Sequence, residues 1–240
     1  MPPNISSMAD FHIKTIHKTL LADMFSPVSV YIKARDIFPN SLLLESSDYR
    51  INDNNFSFVC LEPVAEFLIN NQQIIIKYPD NSQSTGEIND VQSVSEAFEG
   101  FISNFKSPDQ GKTINGLFGY TCYSAVKYFE TLQLSALYKE EYNIPEMRYN
   151  LFRFIITFNH YNDEITITEN VINGDQSRID EIISLIYNKN LTCFPFYPSE
   201  QETSNITDQE YMDSVSKGIK HCRRGDVYQI VLSRQFKQAF

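Results

Sequence analysis

Two runs rich in β-branched and aromatic residues, Met147–Phe158 and Glu164–Val171, follow one another with only the polar stretch Asn159–Asp163 between them. Runs of this composition read as strands, and the short polar joint makes them an antiparallel hairpin. A second hairpin is marked where Ala65–Asn70 and Gln73–Tyr78 flank Asn71-Gln72. Helical patterns lie between these hairpins rather than after every strand. That arrangement predicts an α+β fold with antiparallel β-sheets and packed helices.

The remaining elements fit around that frame. Phe11–Thr15 alternates and predicts a strand running towards Leu20. Ser26-Pro27 opens a helix, with serine as N-cap and proline at the first helical position, where its missing N–H costs nothing. Pro39-Asn40 stops it. Phe56–Leu61 predicts a strand closed by Glu62-Pro63, and Pro79–Gly86 reads as loop. Val91, Val94, Phe98, Phe101, Ile102 and Phe105 recur at helical spacing over 91–105. Gly116–Tyr120 carries two glycines in an apolar run, which predicts a strand approaching another backbone closely. A short helix follows through Ala125–Glu130, and isoleucines predict another over about 177–188.

Leu191–Asn205 changes character, with Pro195, Pro198 and a polar run, and reads as a linker. It separates a domain over 1–190 from a segment over 206–240. Thr207 and Glu210 form a capping box, and the helix they start should end at Gly225 in the left-handed conformation. Val227–Gln235 predicts a strand. The chain ends soon after this apolar run, which suggests a piece of a longer protein.

Composition excludes several function classes. A net charge of −10 argues against a nucleic-acid or anionic-membrane surface. No apolar stretch approaches the roughly 20 residues needed to span a bilayer. The N-terminus has no secretory pattern, and a cytoplasmic location is expected. Cys60, Cys122, Cys193 and Cys222 lie far apart and read as reduced thiols. Neither they nor the four histidines show metal-ligand spacing. There are 18 Phe and 14 Tyr but no Trp, so a bound tryptophan would be the only indole present.

One stretch invites a functional reading. Ser41-Leu42-Leu43-Leu44-Glu45-Ser46 is a short apolar run ending abruptly in a carboxylate and a hydroxyl. Either Glu45 and Ser46 have reached solvent at a strand end, or they form a small polar pocket at the mouth of an apolar sheet.

Three blocks, in order, resemble one family. Ser26-Pro27-Val28-Ser29-Val30-Tyr31 with Leu43-Leu44-Glu45-Ser46 and Phe56-Ser57-Phe58 is similar to the N-terminal region of anthranilate synthase component I. Gly116–Tyr120 with Tyr128-Phe129-Glu130 is similar to the next block. Arg224–Ser233 resembles the start of the chorismate-utilising domain shared by anthranilate, aminodeoxychorismate and isochorismate synthases. The resemblance implies an enzyme about twice this length that makes anthranilate and pyruvate from chorismate and ammonia. It implies Mg²⁺, held by residues outside this chain, and a glutamine amidotransferase subunit as the ammonia source. It also implies tryptophan feedback inhibition, with Leu44, Glu45 and Ser46 in the effector site. No catalytic residue is expected within these 240 residues beyond Gln229 as an active-site neighbour. Isochorismate-type enzymes carry a lysine there, and a neutral amide cannot act as a general base near neutral pH. Gln229 therefore favours the ammonia-using branch; a strand residue facing a polar cavity is the other reading. Aminodeoxychorismate synthase component I and a stand-alone amino-acid-binding module are the alternatives. The chain departs from the family pattern at Asn55, Ser124 and Asn159-His160. His160 reads as an exposed hairpin residue and not a ligand.

Overall fold

The computed structural model describes residues 10–46, 55–88, 91–108, 114–131, 144–189, 195–199 and 201–239. The chain divides into two compact units at residue 192. The first runs β1 (Phe11–Leu21), α1 (Pro27–Arg35), β2 (Leu42–Leu44), β3 (Phe56–Asn70), β4 (Gln73–Lys77), β5 (Gln83–Glu87), α2 (Val91–Ser103), β6 (Phe105–Lys106), β7 (Leu117–Thr121), β8 (Met147–Asn159), β9 (Glu164–Ile172) and α3 (Ile179–Tyr187). The second contains β10 (Thr203–Ser204), α4 (Asp208–Arg224) and β11 (Phe236–Lys237). No helix among the described residues is long and apolar enough to cross a membrane.

The first unit is built on one sheet in the order β5-β4-β3-β8-β9-β1-β6, with β2 added to β3 and β7 to β8. Every pairing is antiparallel except the two-residue contact of β6 with β1. Both expected hairpins form, β3–β4 through Asn71-Gln72 and β8–β9 through the turn at residues 160–163. Asn71 and Gln72 both take positive φ, as a two-residue hairpin turn requires. The architecture is α+β, with few helices on a mostly antiparallel sheet.

Two large apolar cores and a smaller cluster around Cys60, Phe152 and Ile155 share these strands. One gathers Phe67, Ile69, Ile74 and Ile76 of the sheet with Val94, Ala97 and Phe101 of α2. The other gathers Val59, Leu61, Phe154, Ile156 and Ile167 with Val30 and Ala34 of α1 and Ile179, Ile182 and Ile186 of α3. On β1 the cores take residues of opposite parity, Phe11 and Ile13 against Ile16 and Leu20. Side chains alternate along a strand, so the two cores lie on opposite faces of the sheet.

Glu62-Pro63 does not close a strand, contrary to the sequence expectation. β3 continues through it as a bulge, and the register against β8 shifts between Pro63 and Ala65. Glu62 carries the strain with φ of 59°. The extra residue lets β3 serve both cores from odd positions, Val59 and Leu61 before the bulge and Ala65, Phe67 and Ile69 after it. Glu62 is held by the Arg178 guanidinium at 2.8 Å. Beside it, the fully buried Glu169 carboxylate accepts from Arg153 Nε at 3.1 Å, Ser177 Oγ at 2.6 Å and the Arg178 N–H at 2.9 Å. Glu169 thus caps α3 from β9, and its buried charge is met by donors on three sides.

Other expectations need adjustment. Gln83–Glu87, read as loop, pairs with β4 as an edge strand. A Thr-Gly edge has little apolar content, so the pattern gives no warning of it. The expected helix at Ala125–Glu130 is a 3₁₀ turn over Tyr123–Tyr128. Lys127 Nζ and the Tyr128 hydroxyl both bind the Glu146 carboxylate, which pins that turn short. Burial, and then Glu146, push the Tyr128 hydroxyl well above its ordinary range. Gly119 has the close approach that its glycine predicts, since a Cβ there would stand 1.8 Å from the Arg148 carbonyl oxygen.

In the second unit α4 has the expected capping box, with Thr207 and Glu210 each bonding the other's backbone N–H. It ends at Gly225 with φ of 80°. The expected strand over Val227–Gln235 is not formed; only Phe236–Lys237 pairs, with Thr203–Ser204. A strand needs a neighbour along its length, and among the described residues none runs beside 227–235. Ile230 and Leu232 instead approach α4 at Gly218, where a Cβ would lie 3.4 Å from Ile230.

Candidate functional site

β2 is only three residues long because its ladder ends at Leu44. Leu42, Leu43 and Leu44 stand opposite Cys60, Val59 and Phe58. Leu43 packs into the core under α1, while Leu42 joins Cys60, Phe152 and Ile155. Leu44 shares its face with Phe58, whose ring lies 5.3 Å from Phe118 and 6.4 Å from Phe56. An aromatic wall therefore stands beside the strand end. Leu44 is 36% exposed, and Glu45 and Ser46 are exposed.

Past Leu44 the chain is fixed by a side chain. The Ser46 N–H donates to Ser57 Oγ at 3.3 Å, and the same oxygen lies 2.7 Å from His160 Nε2. Ser57 is 1% exposed. The structure thus brings Leu44, Glu45 and Ser46 together at one sheet edge, with an apolar wall, an exposed carboxylate and an exposed serine beside it. This set could hold a small aromatic zwitterion, the ring on the wall and the ammonium on the carboxylate.

A pocket of 240 Å³ opens at the other end of β2, lined by Ser41, Leu42, Gly119, Tyr120, Arg148 and Phe152 among others. Leu44, Glu45 and Ser46 do not line it. A neighbouring pocket of 260 Å³ shares Asn40, Arg148 and Asn150 with it. There the buried Glu66 carboxylate meets Lys77 at 2.7 Å and Arg148 at 2.8 Å, so the charges largely satisfy one another.

Gln229 belongs to the second unit and lies exposed in the segment after Gly225, outside regular structure. Asp226 is a turn residue. Its carboxylate bonds Arg224 and His221, and these donors hold it below its ordinary range. Magnesium needs several oxygen donors at one point. Among the described residues no group of three His, Cys, Asp or Glu is placed to hold a metal ion, so no step is routed through one.

Sequence reasoning gives no role to Ser57; His160 is exposed in its hairpin turn as expected, and its bond to Ser57 is what the sequence does not name. The signal was present: Ser57, Val59 and Leu61 share one face of β3, and a lone hydroxyl in that row must find a partner.

Residues 40–240 match the family described as chorismate binding enzyme, and the chain belongs to that family. Among curated proteins it is similar to anthranilate synthase component 1. The Methanothermobacter marburgensis protein is 28% identical over 86% of this chain and 41% of its own length. The Lactococcus lactis protein is 23% identical over 93% of this chain and 49% of its own length. The chloroplastic anthranilate synthase alpha subunit 1 of Arabidopsis thaliana is 24% identical over 93% of this chain and 43% of its own length. This chain therefore spans less than half the length of these relatives. The crystal structure of anthranilate synthase component I from Streptococcus pneumoniae superposes with a TM-score of 0.48 at 19% identity, covering 90% of this chain and 48% of that one.

Proposed function

We propose that this chain is the N-terminal, regulatory part of an anthranilate synthase large subunit. The complete enzyme converts chorismate and ammonia to anthranilate and pyruvate with Mg²⁺, and a glutamine amidotransferase subunit supplies the ammonia. Tryptophan inhibits it by binding at Leu44, Glu45 and Ser46. These 240 residues alone do not turn chorismate over.

The family match across residues 40–240 carries this reading. The relatives named above, all anthranilate synthases, support the particular reaction. The strand end supports the effector role, because an aromatic wall beside exposed polar groups suits an indole amino acid. An inhibitor must bind one arrangement of the enzyme better than another, and a strand end beyond its last ladder bond can adjust its position.

The test is ammonia-dependent chorismate turnover by the protein read through to its natural stop codon, with anthranilate followed by fluorescence. Anthranilate formation inhibited by tryptophan, with inhibition lost in Ser46→Phe, is the expected result. Aminodeoxychorismate as product would move the protein to the folate branch, and no turnover would overturn the catalytic reading.

A further inference from the structure

The Ser57–His160 pair has the components of a nucleophile and its base, but not the placement. Ser57 Oγ sits inside the sheet at 1% exposure, in a row with Val59 and Leu61, where no substrate carbonyl reaches it. Its oxygen is already in use as the acceptor for Ser46 N–H. An activated nucleophile needs a free line of attack. The pair must serve something else.

What it touches is the end of β2. Backbone pairing stops at Leu44. Two residues later Ser46 N–H is captured by a side chain of β3, not by its backbone. One buried oxygen joins the two: Ser46 N–H donates to Ser57 Oγ, and the same Oγ is hydrogen-bonded to His160 Nε2. His160 is itself anchored, because its N–H donates to the Asn55 carbonyl at 3.0 Å. The next residue in that turn is held as well, with Tyr161 N–H on Asn159 Oδ1 at 3.0 Å. A relay of hydrogen bonds thus runs from the β8–β9 turn, through a buried hydroxyl, to the backbone of Ser46.

We infer that Ser57 and His160 are positioning residues for the effector site. They hold Ser46 where its hydroxyl meets the polar end of an amino acid bound against Phe58, and so they set the affinity for it. This rests on the effector role proposed above for Leu44, Glu45 and Ser46. Neither residue touches the effector; both act through Ser46.

The experiment uses the enzyme read to its natural stop codon, with L-tryptophan as probe. Half-inhibiting tryptophan concentration, and kcat and KM for chorismate without tryptophan, are measured for wild type, Ser57→Ala, His160→Ala, His160→Gln and the double alanine variant. Loss of one buried hydrogen bond should raise the half-inhibiting concentration about fivefold to tenfold in either alanine variant. The double variant should be little worse than either single one, since both break one relay. His160→Gln, which keeps an acceptor, should restore much of the sensitivity, and kcat and KM should stay at wild-type values throughout. His160 lies at an exposed turn, so its variants remain informative should Ser57→Ala fail to fold. Unchanged tryptophan sensitivity in the His160 variants, with sensitivity still lost in Ser46→Phe, overturns this inference and leaves the effector site standing. A wild-type enzyme indifferent to tryptophan removes both.

Discussion

Gly119 and Gly218 sit in the two units of this chain and show how differently those units are held. Gly119 lies in β7 with its Cα against the backbone of β8, and no side chain fits there. Gly218 lies mid-helix in α4, with Ile230 and Leu232 at ordinary contact distance. In the first unit Phe67, Phe101, Phe152 and Phe154 are fully buried and tertiary packing dominates. In the second unit Gly218 is the buried residue of α4, while Tyr228 and Val231 are 98% and 81% exposed. That helix is held mainly by local terms: its capping box, its left-handed stop and the basic residues of its last turn. The lesson is that a clean capping signal and a buried core are independent assets. One unit has a large core; the other has well-made ends.

Three measurements sharpen or break that contrast. The largest effect belongs to Gly119→Ala. A Cβ at 1.8 Å from a carbonyl must push β7 off β8, and a cost on the order of 4 kcal/mol should appear in the urea midpoint. A wild-type midpoint would mean that β7 is not packed as described. Gly218→Ala comes next, with the opposite sign. It removes a mid-helix glycine without a clash, so helicity should rise and stability should gain up to about 1 kcal/mol. A clear loss would mean that 227–235 lies tighter on α4 than the 3.4 Å contact suggests.

The smallest effect is an acid titration. Glu210 is held below its ordinary 4.5 by the Thr207 backbone and hydroxyl, and Asp226 below its ordinary 3.8 by Arg224 and then His221. Both folded values are depressed, so their contribution is full above those ordinary values and lost as pH falls through the lower folded ones. Helical ellipticity should therefore decline slightly as pH drops below about 4.5, and less so in Thr207→Ala, which has already lost the cap. Equal acid loss in both proteins would show that the capping box does not contribute.

Much of the fold was legible because its signals are local. Asn71-Gln72 and 159–163 mark hairpins whatever surrounds them. Ser26, Thr207 and Gly225 name helix ends through the bonds of their own side chains or their own φ. Gly119 announced a close approach without saying to what. The misses required a neighbour. Glu62-Pro63 looks like a strand end unless Arg178, far along the chain, is known to hold the bulge. Gln83–Glu87 becomes a strand only because β4 offers an edge, and Val227–Gln235 fails to become one for want of such an edge. The candidate site divides in the same way. Leu44, Glu45 and Ser46 stand out as an apolar run broken by polar groups. Ser57 and His160 meet only across a strand pairing, and no spacing in the sequence brings them together.

The bulge at Glu62 has a consequence for how this sequence can change over time. β3 counts residues in twos, and the additional one puts its second half out of phase with its first. Delete it, and Val59 and Leu61 would stay beneath α1 while Ala65, Phe67 and Ile69 kept their partners on β8 and their face towards α2, now by plain alternation. Loss of one residue here therefore preserves the sense of both halves, whereas loss of two would reverse one of them or force a bulge elsewhere. Drift at this joint is constrained in parity before it is constrained in residue type.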